Sequence, residues 1–328
     1  MAGGVIDTIL TGHASPADLA AMGVAAGVYG TVFMSLMGVV TALNPIIAQH
    51  YGAGREAAVG ASLMQGLWLG ILISVPGCLV LGFSELWLSS VDAPAEVKGL
   101  VARYLRVLSF ALPAALMFRA VYALNVAVSR PKVVMVLQGM GLGVKVVLSA
   151  VLVFGLLGFP QLGAVGCAVA SLTVHWVLFV VGYALTRLDE SYRRFAIRLS
   201  WPEWTMVKAQ LRLGVPIGFA YALESSSFAL MALVIARLGT SVTGGHQIAI
   251  NLAALTYQVP LALAIATGTL TAQTIGAGDL PAARRVAATG IRLGVGVAFL
   301  TAVTLWVWRR PIVALYTTTA TSPRWRSR

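Results

Sequence analysis

The sequence is poor in charge. Of its 328 residues only 10% are Asp, Glu, Lys or Arg, while 59% are hydrophobic and the mean hydropathy is +0.87. A soluble domain carries about 25% charged and about 45–50% apolar residues. Long stretches carry no charge at all: none occurs between Glu56 and Glu85, between Lys145 and Arg187, or between Arg237 and Asp279. Each exceeds the roughly 20 apolar residues that one span needs, which excludes a water-soluble fold. Cysteine is equally scarce. Cys78 and Cys167 both lie in apolar runs, which excludes a disulfide framework or a cysteine-based zinc site and leaves two small buried hydrophobes. The four histidines are scattered and form no ligand pair. There is no Walker lysine motif, so ATP-driven chemistry is not expected. The glycine string Gly139–Gly143 lies inside an apolar run and fits close helix packing better than a nucleotide loop. No catalytic residue, metal ligand or cofactor is expected. A signal peptide is not read either, because Asp7 interrupts the first apolar stretch and no basic residue precedes it.

What charge there is has a sign and a pattern. The formal net charge is +12, but the basic residues sit in alternate short loops and do not form one face. Arg55, Arg130, Lys132, Arg187, Arg193, Arg194, Arg198, Lys208, Arg212, Arg284, Arg285 and Arg292 fall near 50–56, 129–132, 187–212 and 276–292. The loops near 13–17, 157–161 and 239–245 have none, and the loop near 88–98 has only Lys98. This is the positive-inside pattern of a multi-pass membrane protein, with the basic loops cytoplasmic, and it calls for no nucleic acid. Arg309 and Arg310 run against it. Trp87, Trp201, Trp204, Trp306 and Trp308 fall near span ends, where indole rings favour the interface.

The pattern predicts an all-α membrane bundle. An apolar segment over about 1–12 is too short to span. Helices follow at about 18–48, 57–84, 97–128, 132–156, 162–187, 207–238, 245–275 and 283–310. Pro45, Pro76, Pro113, Pro216 and Pro260 lie inside them, as packing kinks or as bends of a moving helix. The organisation read from this is a first lobe at 1–187, a cytoplasmic linker at 188–206, a second, partial lobe at 207–316 and a polar tail at 317–328.

A repeat supports the two-lobe reading. Ala48-Gln49-His50-Tyr51-Gly52-Ala53-Gly54 returns as Ala272-Gln273-Thr274-Ile275-Gly276-Ala277-Gly278, and each copy closes a long proline-bearing apolar helix. Repeated halves are common in secondary transporters. By the repeat, the loop at Leu88–Val91 matches Leu315–Thr318. Three helices follow the first and ten residues follow the second. About nine of twelve helices are therefore expected, with the chain trimmed at both ends and not competent for transport alone.

Polar residues inside apolar helices are costly and usually functional. Asp7 is either a helix-end carboxylate near water or a cation-coupling group. Glu224, deep in the seventh helix, is either half of an ion pair with Arg237 or Arg119 or the coupling group of the second half. Lys145 and Ser149, spaced i, i+4, share a face; the lysine either snorkels or pairs with Asp7. Tyr221, Asn251 and Gln258 offer neutral hydrogen-bonding groups to a cavity, or interhelical contacts.

Several segments together carry a resemblance: Asp7–Gly12, Asp18–Ala21, Ala42–Gln49 with Gly52–Gly54, Gly163–Ala170, Leu213–Pro216 followed by Glu224, and His246–Asn251. The chain resembles the multidrug and toxic compound extrusion (MATE) family, NorM-like branch, over nearly its whole length up to Tyr316. The resemblance implies a two-lobe, twelve-helix bundle with a pseudo-two-fold repeat in the bacterial inner membrane. It implies a monomeric antiporter exchanging organic cations or drugs for protons or sodium, with Asp7 and Glu224 as the coupling carboxylates. Where NorM-like members tend to have two asparagines in the fifth helix, this chain has Lys145 and Ser149, which puts sodium binding in the first lobe in doubt. The rival readings are a lipid or polysaccharide flippase of related fold and a membrane protein without transport function.

Overall fold

Backbone groups in an apolar medium have to be bonded within their own segment, and a helix does this at every residue. The computed structural model describes residues 2–89, 94–158, 160–236, 240–309 and 311. Among them it is built from helices: α1 (Ala2–Ala14), α2 (Pro16–Thr41), α3 (Leu43–Gly52), α4 (Glu56–Gly82), α5 (Ser84–Leu88), α6 (Ala95–Ala127), α7 (Pro131–Phe154), α8 (Ala164–Leu188), α9 (Glu190–Arg193), α10 (Trp204–Ala236), α11 (Thr240–Gly276) and α12 (Leu280–Val307). Among the described residues seven stretches are long and apolar enough to cross a membrane, with α2 and α3 together forming one of them. The expected tail at 317–328 and the loop at Leu315–Thr318 lie outside the described residues.

The helix starts follow local chemistry. Ser15 caps α2, its Oγ accepting from the backbone N–H of Asp18 at 3.0 Å, with Pro16 in the first turn. Asp279 caps α12 by accepting from Ala282 N–H at 2.9 Å. Pro76, Pro113, Pro216 and Pro260 are interior to α4, α6, α10 and α11. Pro45 is not interior. The single helix expected over 18–48 divides at Ala42, and Pro45 falls in the first turn of α3. The physical reason is that Pro45 has no N–H for the carbonyl four residues back, Thr41, which is where α2 ends.

Two compact units emerge, Met1–Ser225 and Ser226–Arg328. The first extends past the lobe boundary expected near 207 because the first half of α10 lies on α2. A Cβ on Gly218 would stand 2.6 Å from the Ser35 carbonyl oxygen, and one on Gly38 would stand 2.7 Å from the Gly218 Cα. Small residues thus let two backbones meet, as in other membrane helix pairs. The middle of this unit is α6, which packs against α2, α3, α4 and α8 and buries most of its residues between Leu105 and Leu124. Gly166 of α8 rests on the backbone of Leu152 in α7.

The segment expected as a cytoplasmic linker is bonded to α4. Gln65 donates from Nε2 to the Trp201 carbonyl at 3.1 Å and accepts from Glu203 N–H at 2.8 Å. Trp68 donates to the Ser200 carbonyl at 2.8 Å and stacks on Trp201. At the linker's start the Ser191 N–H donates to Asp189 and, with Arg130 nearby, holds that carboxylate below its ordinary range. In the second unit α11 and α12 pack on each other, and Gly290 lies against the Thr267 side chain.

Candidate cation-coupling site

On α1, Gly3 and Asp7 are one turn apart and share a face. On α7, Lys145 and Ser149 do the same. α1 packs against α7 and α8, and these faces meet. Lys145 Nζ donates to Asp7 Oδ2 at 2.7 Å, with only 16% and 6% of the two side chains exposed. Gly3 makes room for the ammonium: a Cβ there would stand 3.1 Å from Nζ and 3.4 Å from Cδ of the lysine. Cys167 of α8 and Ser149 face the same carboxylate, and Cys167 and Ser149 are fully buried. Asp7 Oδ1 and Ser149 Oγ are buried with no hydrogen-bond partner among the described residues. Thr11 Oγ1 donates back to the Asp7 main-chain carbonyl at 2.8 Å and steadies the helix below it.

Asp7 is therefore not a helix-end carboxylate near water. Although α1 has 13 residues, about 20 Å of helix, it packs against α2, α7 and α8 and the face with Asp7 and Thr11 is buried. Lys145 does not snorkel either; its ammonium turns inward. The pair is neutral as a whole and offers an apolar bundle one carboxylate, one ammonium and two unused oxygens.

The other candidates are placed elsewhere. Glu224 is exposed on α10, at the end of the first unit. The ion pair with Arg119 expected as one alternative is not formed, since that guanidinium lies over the Tyr122 ring at 5.2 Å; Arg237 is outside the described residues. A carboxylate so deep in an apolar helix would be costly to leave facing hydrocarbon. The face of α10 that goes inward is instead the one bearing Gly214, Gly218 and Tyr221, whose ring lies against Gly38. Asn251 and Gln258 are exposed residues of α11 in the second unit. Within the first unit the structure thus brings together Asp7, Lys145 and Ser149 and does not add Glu224 or Tyr221 to them.

Sequence reasoning missed three contributors. Gly3 is visible as a small residue four before Asp7, but nothing in the sequence says what fills its space. Cys167 reads only as a buried hydrophobe. Asp18 has a sequence signature, the capping box of Ser15 and Asp18. Its Oδ2 accepts from Ser15 Oγ at 2.8 Å, and Oδ1 accepts from Ala164 N–H at 2.9 Å. One carboxylate thereby joins the start of α2 to the start of α8, where the helix dipole favours a negative charge.

Comparison with known proteins places this arrangement in a family. The MatE family model matches residues 1–151 and 216–323, which include every candidate above except Cys167. A probable multidrug resistance protein NorM of Aromatoleum aromaticum is 39% identical over 314 residues, covering 95% of this chain and 68% of the relative. A multidrug resistance protein NorM of Aliivibrio fischeri is 31% identical over 315 residues, with the same shares covered. Among solved structures, the MATE transporter NorM-NG in complex with rhodamine 6G and a monobody is 26% identical, with a TM-score of 0.78 over 92% of this chain and 67% of that one. The eukaryotic MATE transporter AtDTX14, at 21% identity and a TM-score of 0.84 over 94% of this chain and 68% of that one, shares the fold.

Proposed function

The chain belongs to the MatE family, and from that premise we propose that it is a secondary active multidrug exporter that moves organic cations outward in exchange for protons or sodium. It is a multi-pass protein of the bacterial inner membrane. The observation that carries the proposal is the buried, charged Asp7 site in an otherwise apolar bundle, on a segment where the family match is continuous. A carboxylate is held in such a place at a cost of roughly 2.5–3.5 kcal/mol, and that cost is commonly tolerated where a cation has to be bound and released. By the resemblance, Glu224 is the corresponding group of the second half, on a face of α10 that the described residues leave uncovered. The relatives' name, multidrug resistance protein, supports a broad range of substrates.

Ethidium accumulation in a pump-deficient bacterial host tests this reading. Cells expressing a version completed to the length of its relatives, of which this chain spans 68%, are expected to hold less dye than cells with empty vector, and collapsing the ion gradients should remove the difference, while residues 1–328 alone are expected to give no export. Glu224→Gln should abolish export and Asp7→Asn should impair it, with both variants still inserted. Accumulation unchanged by either variant removes these carboxylates from the mechanism.

A further inference from the structure

A buried carboxylate needs a positive partner, and which partner it accepts depends on what its neighbours leave free. At Asp7 the partner is part of the chain. The Lys145 ammonium occupies Oδ2 at 2.7 Å, close against Gly3, where a Cβ would stand 3.1 Å from Nζ. A lysine fixed on a helix is present at this carboxylate at a very high effective concentration. A sodium ion would therefore have to do one of two things. It could enter beside the ammonium and make a dry site net positive, or it could displace the ammonium and leave a second buried charge unpaired. Both are costly in a low-dielectric interior. The same site without its ammonium would be different. Asp7 Oδ1 and Ser149 Oγ, both buried and unpartnered, would join Oδ2 as oxygen donors, which suit a hard cation.

We propose that Lys145 is a tethered counter-cation that shuts sodium out of the Asp7 site and so sets which ion the first half of the exporter can exchange. As a statement about binding it stands on the geometry alone; only its consequence for coupling rests on the exporter reading. Lys145 is a specificity residue here, and Gly3 and Ser149 are its positioning residues.

The test is sodium binding by the purified protein in detergent, followed with radioactive sodium and by melting temperature in sodium chloride against choline chloride. The wild type is expected to show no saturable, Asp7-dependent sodium uptake and the same melting temperature in both salts. Lys145→Asn replaces the ammonium with an amide oxygen. It should gain saturable sodium uptake at least about tenfold tighter than any in the wild type, with a melting temperature that rises in sodium. The double variant Asp7→Asn/Lys145→Asn should lose that gain. Lys145→Arg keeps a tethered cation and should remain indifferent to sodium. A folded Lys145→Asn that takes up no sodium overturns the proposal. So does wild-type or Lys145→Arg protein whose sodium uptake disappears with Asp7→Asn. If Lys145→Asn folds in neither salt, the wild type and Lys145→Arg decide alone: indifference in both supports the proposal, and an Asp7-dependent sodium effect in either overturns it. Because uptake is read without transport, a failure of ethidium export leaves this result standing, and the two ideas fail separately.

Discussion

At Ala48–Arg55 and again at Ala272–Asp279 the backbone makes one and the same turn, bond for bond. Ala53 N–H donates to the Gln49 carbonyl at 2.9 Å, and Ala277 N–H to Gln273 at 2.9 Å. Gly54 pairs with Tyr51 at 3.1 Å, and Gly278 with Ile275 at 3.0 Å; Arg55 pairs with His50 at 2.9 Å, and Asp279 with Thr274 at 3.1 Å. Both glycines take the left-handed conformation, at φ +68° and +81°, as helix-ending motifs require. What stands behind the two turns is not the same. The first leads into α4, which buries residues along most of its length, and Arg194 covers it through Tyr51 and Glu56. The second leads into α12, where Ala283 is the buried residue among those described. The carboxylates of the two halves differ likewise: Asp7 is 4% exposed and paired, Glu224 exposed. A repeated heptad carries its turn wherever it is placed, because the turn's bonds are internal to it. What surrounds a candidate coupling carboxylate is made by other helices, as α7 and α8 show at Asp7.

The largest effect should come from setting the two carboxylates against each other. Lys145→Met leaves Asp7 buried without its partner, and breaking a buried pair from one side costs about 3–5 kcal/mol. Glu224→Gln changes an exposed side chain with no ion pair among the described residues, and should stay within about 0.5 kcal/mol. Thermal unfolding in detergent, in sodium-free buffer, separates the two. Equal losses would mean that the contrast between a sealed and an open site is not real.

That contrast also marks how far the sequence can be read. A charged residue in an apolar run stands out because of its cost, so Asp7, Lys145 and Glu224 were all visible, and the i, i+4 spacing placed Ser149 beside Lys145. The repeat turn was legible in full, because Gly54 and Gly278 and their bonding partners lie within eight residues. Burial was not legible. Whether α10 turns Glu224 inward depends on Gly214 and Gly218 meeting α2, a contact between residues far apart in the chain. Asp18 bonding to Ala164 is the same kind of fact, with the capping box showing only its local half. The break at Ala42 was half-legible: the proline was plain, but its effect falls on the carbonyl four residues earlier.

An intermediate effect should appear where glycine lets helices meet. In the first unit a methyl group at Gly218 would stand 2.6 Å from the Ser35 carbonyl oxygen. That atom belongs to a packed helix backbone and cannot rotate away. Gly218→Ala is expected to destabilise by about 1–3 kcal/mol, the usual range for overpacking. In the second unit a methyl group at Gly290 would stand 2.7 Å from the Thr267 Cβ, which no rotamer change relieves, but α12 buries only Ala283 among the described residues and can shift away from α11, so Gly290→Ala should cost less. Unfolding followed by tryptophan fluorescence for both variants checks the order. A larger loss at Gly290 would show that the second unit is the more tightly built of the two.

The smallest effect should be the most nearly equal. A Cβ at Gly54 or at Gly278 meets nothing within 4 Å, so alanine at either position introduces no clash with neighbours. What it introduces is a side chain on a left-handed residue, which costs roughly 1–2 kcal/mol. Alanine also stiffens the unfolded chain, which returns about 0.4–1 kcal/mol where the native conformation is compatible; here it is not, so little of that offset is realised. The loss should therefore be about 1–2 kcal/mol at each position, and the two values should be close, because the two turns share their bonds and their left-handed glycine. Asparagine tolerates the left-handed region better than alanine, so Gly54→Asn and Gly278→Asn should each recover part of the loss. Paired unfolding measurements on the four variants test this directly. If Gly54→Ala is far the more costly, the packing around Tyr51 and Arg194 holds the first turn rigid, and the turn's stability is not carried by the heptad alone. If the costs match while the α4 and α12 surroundings differ as much as they do, the turn is an autonomous unit whose stability is internal to the heptad.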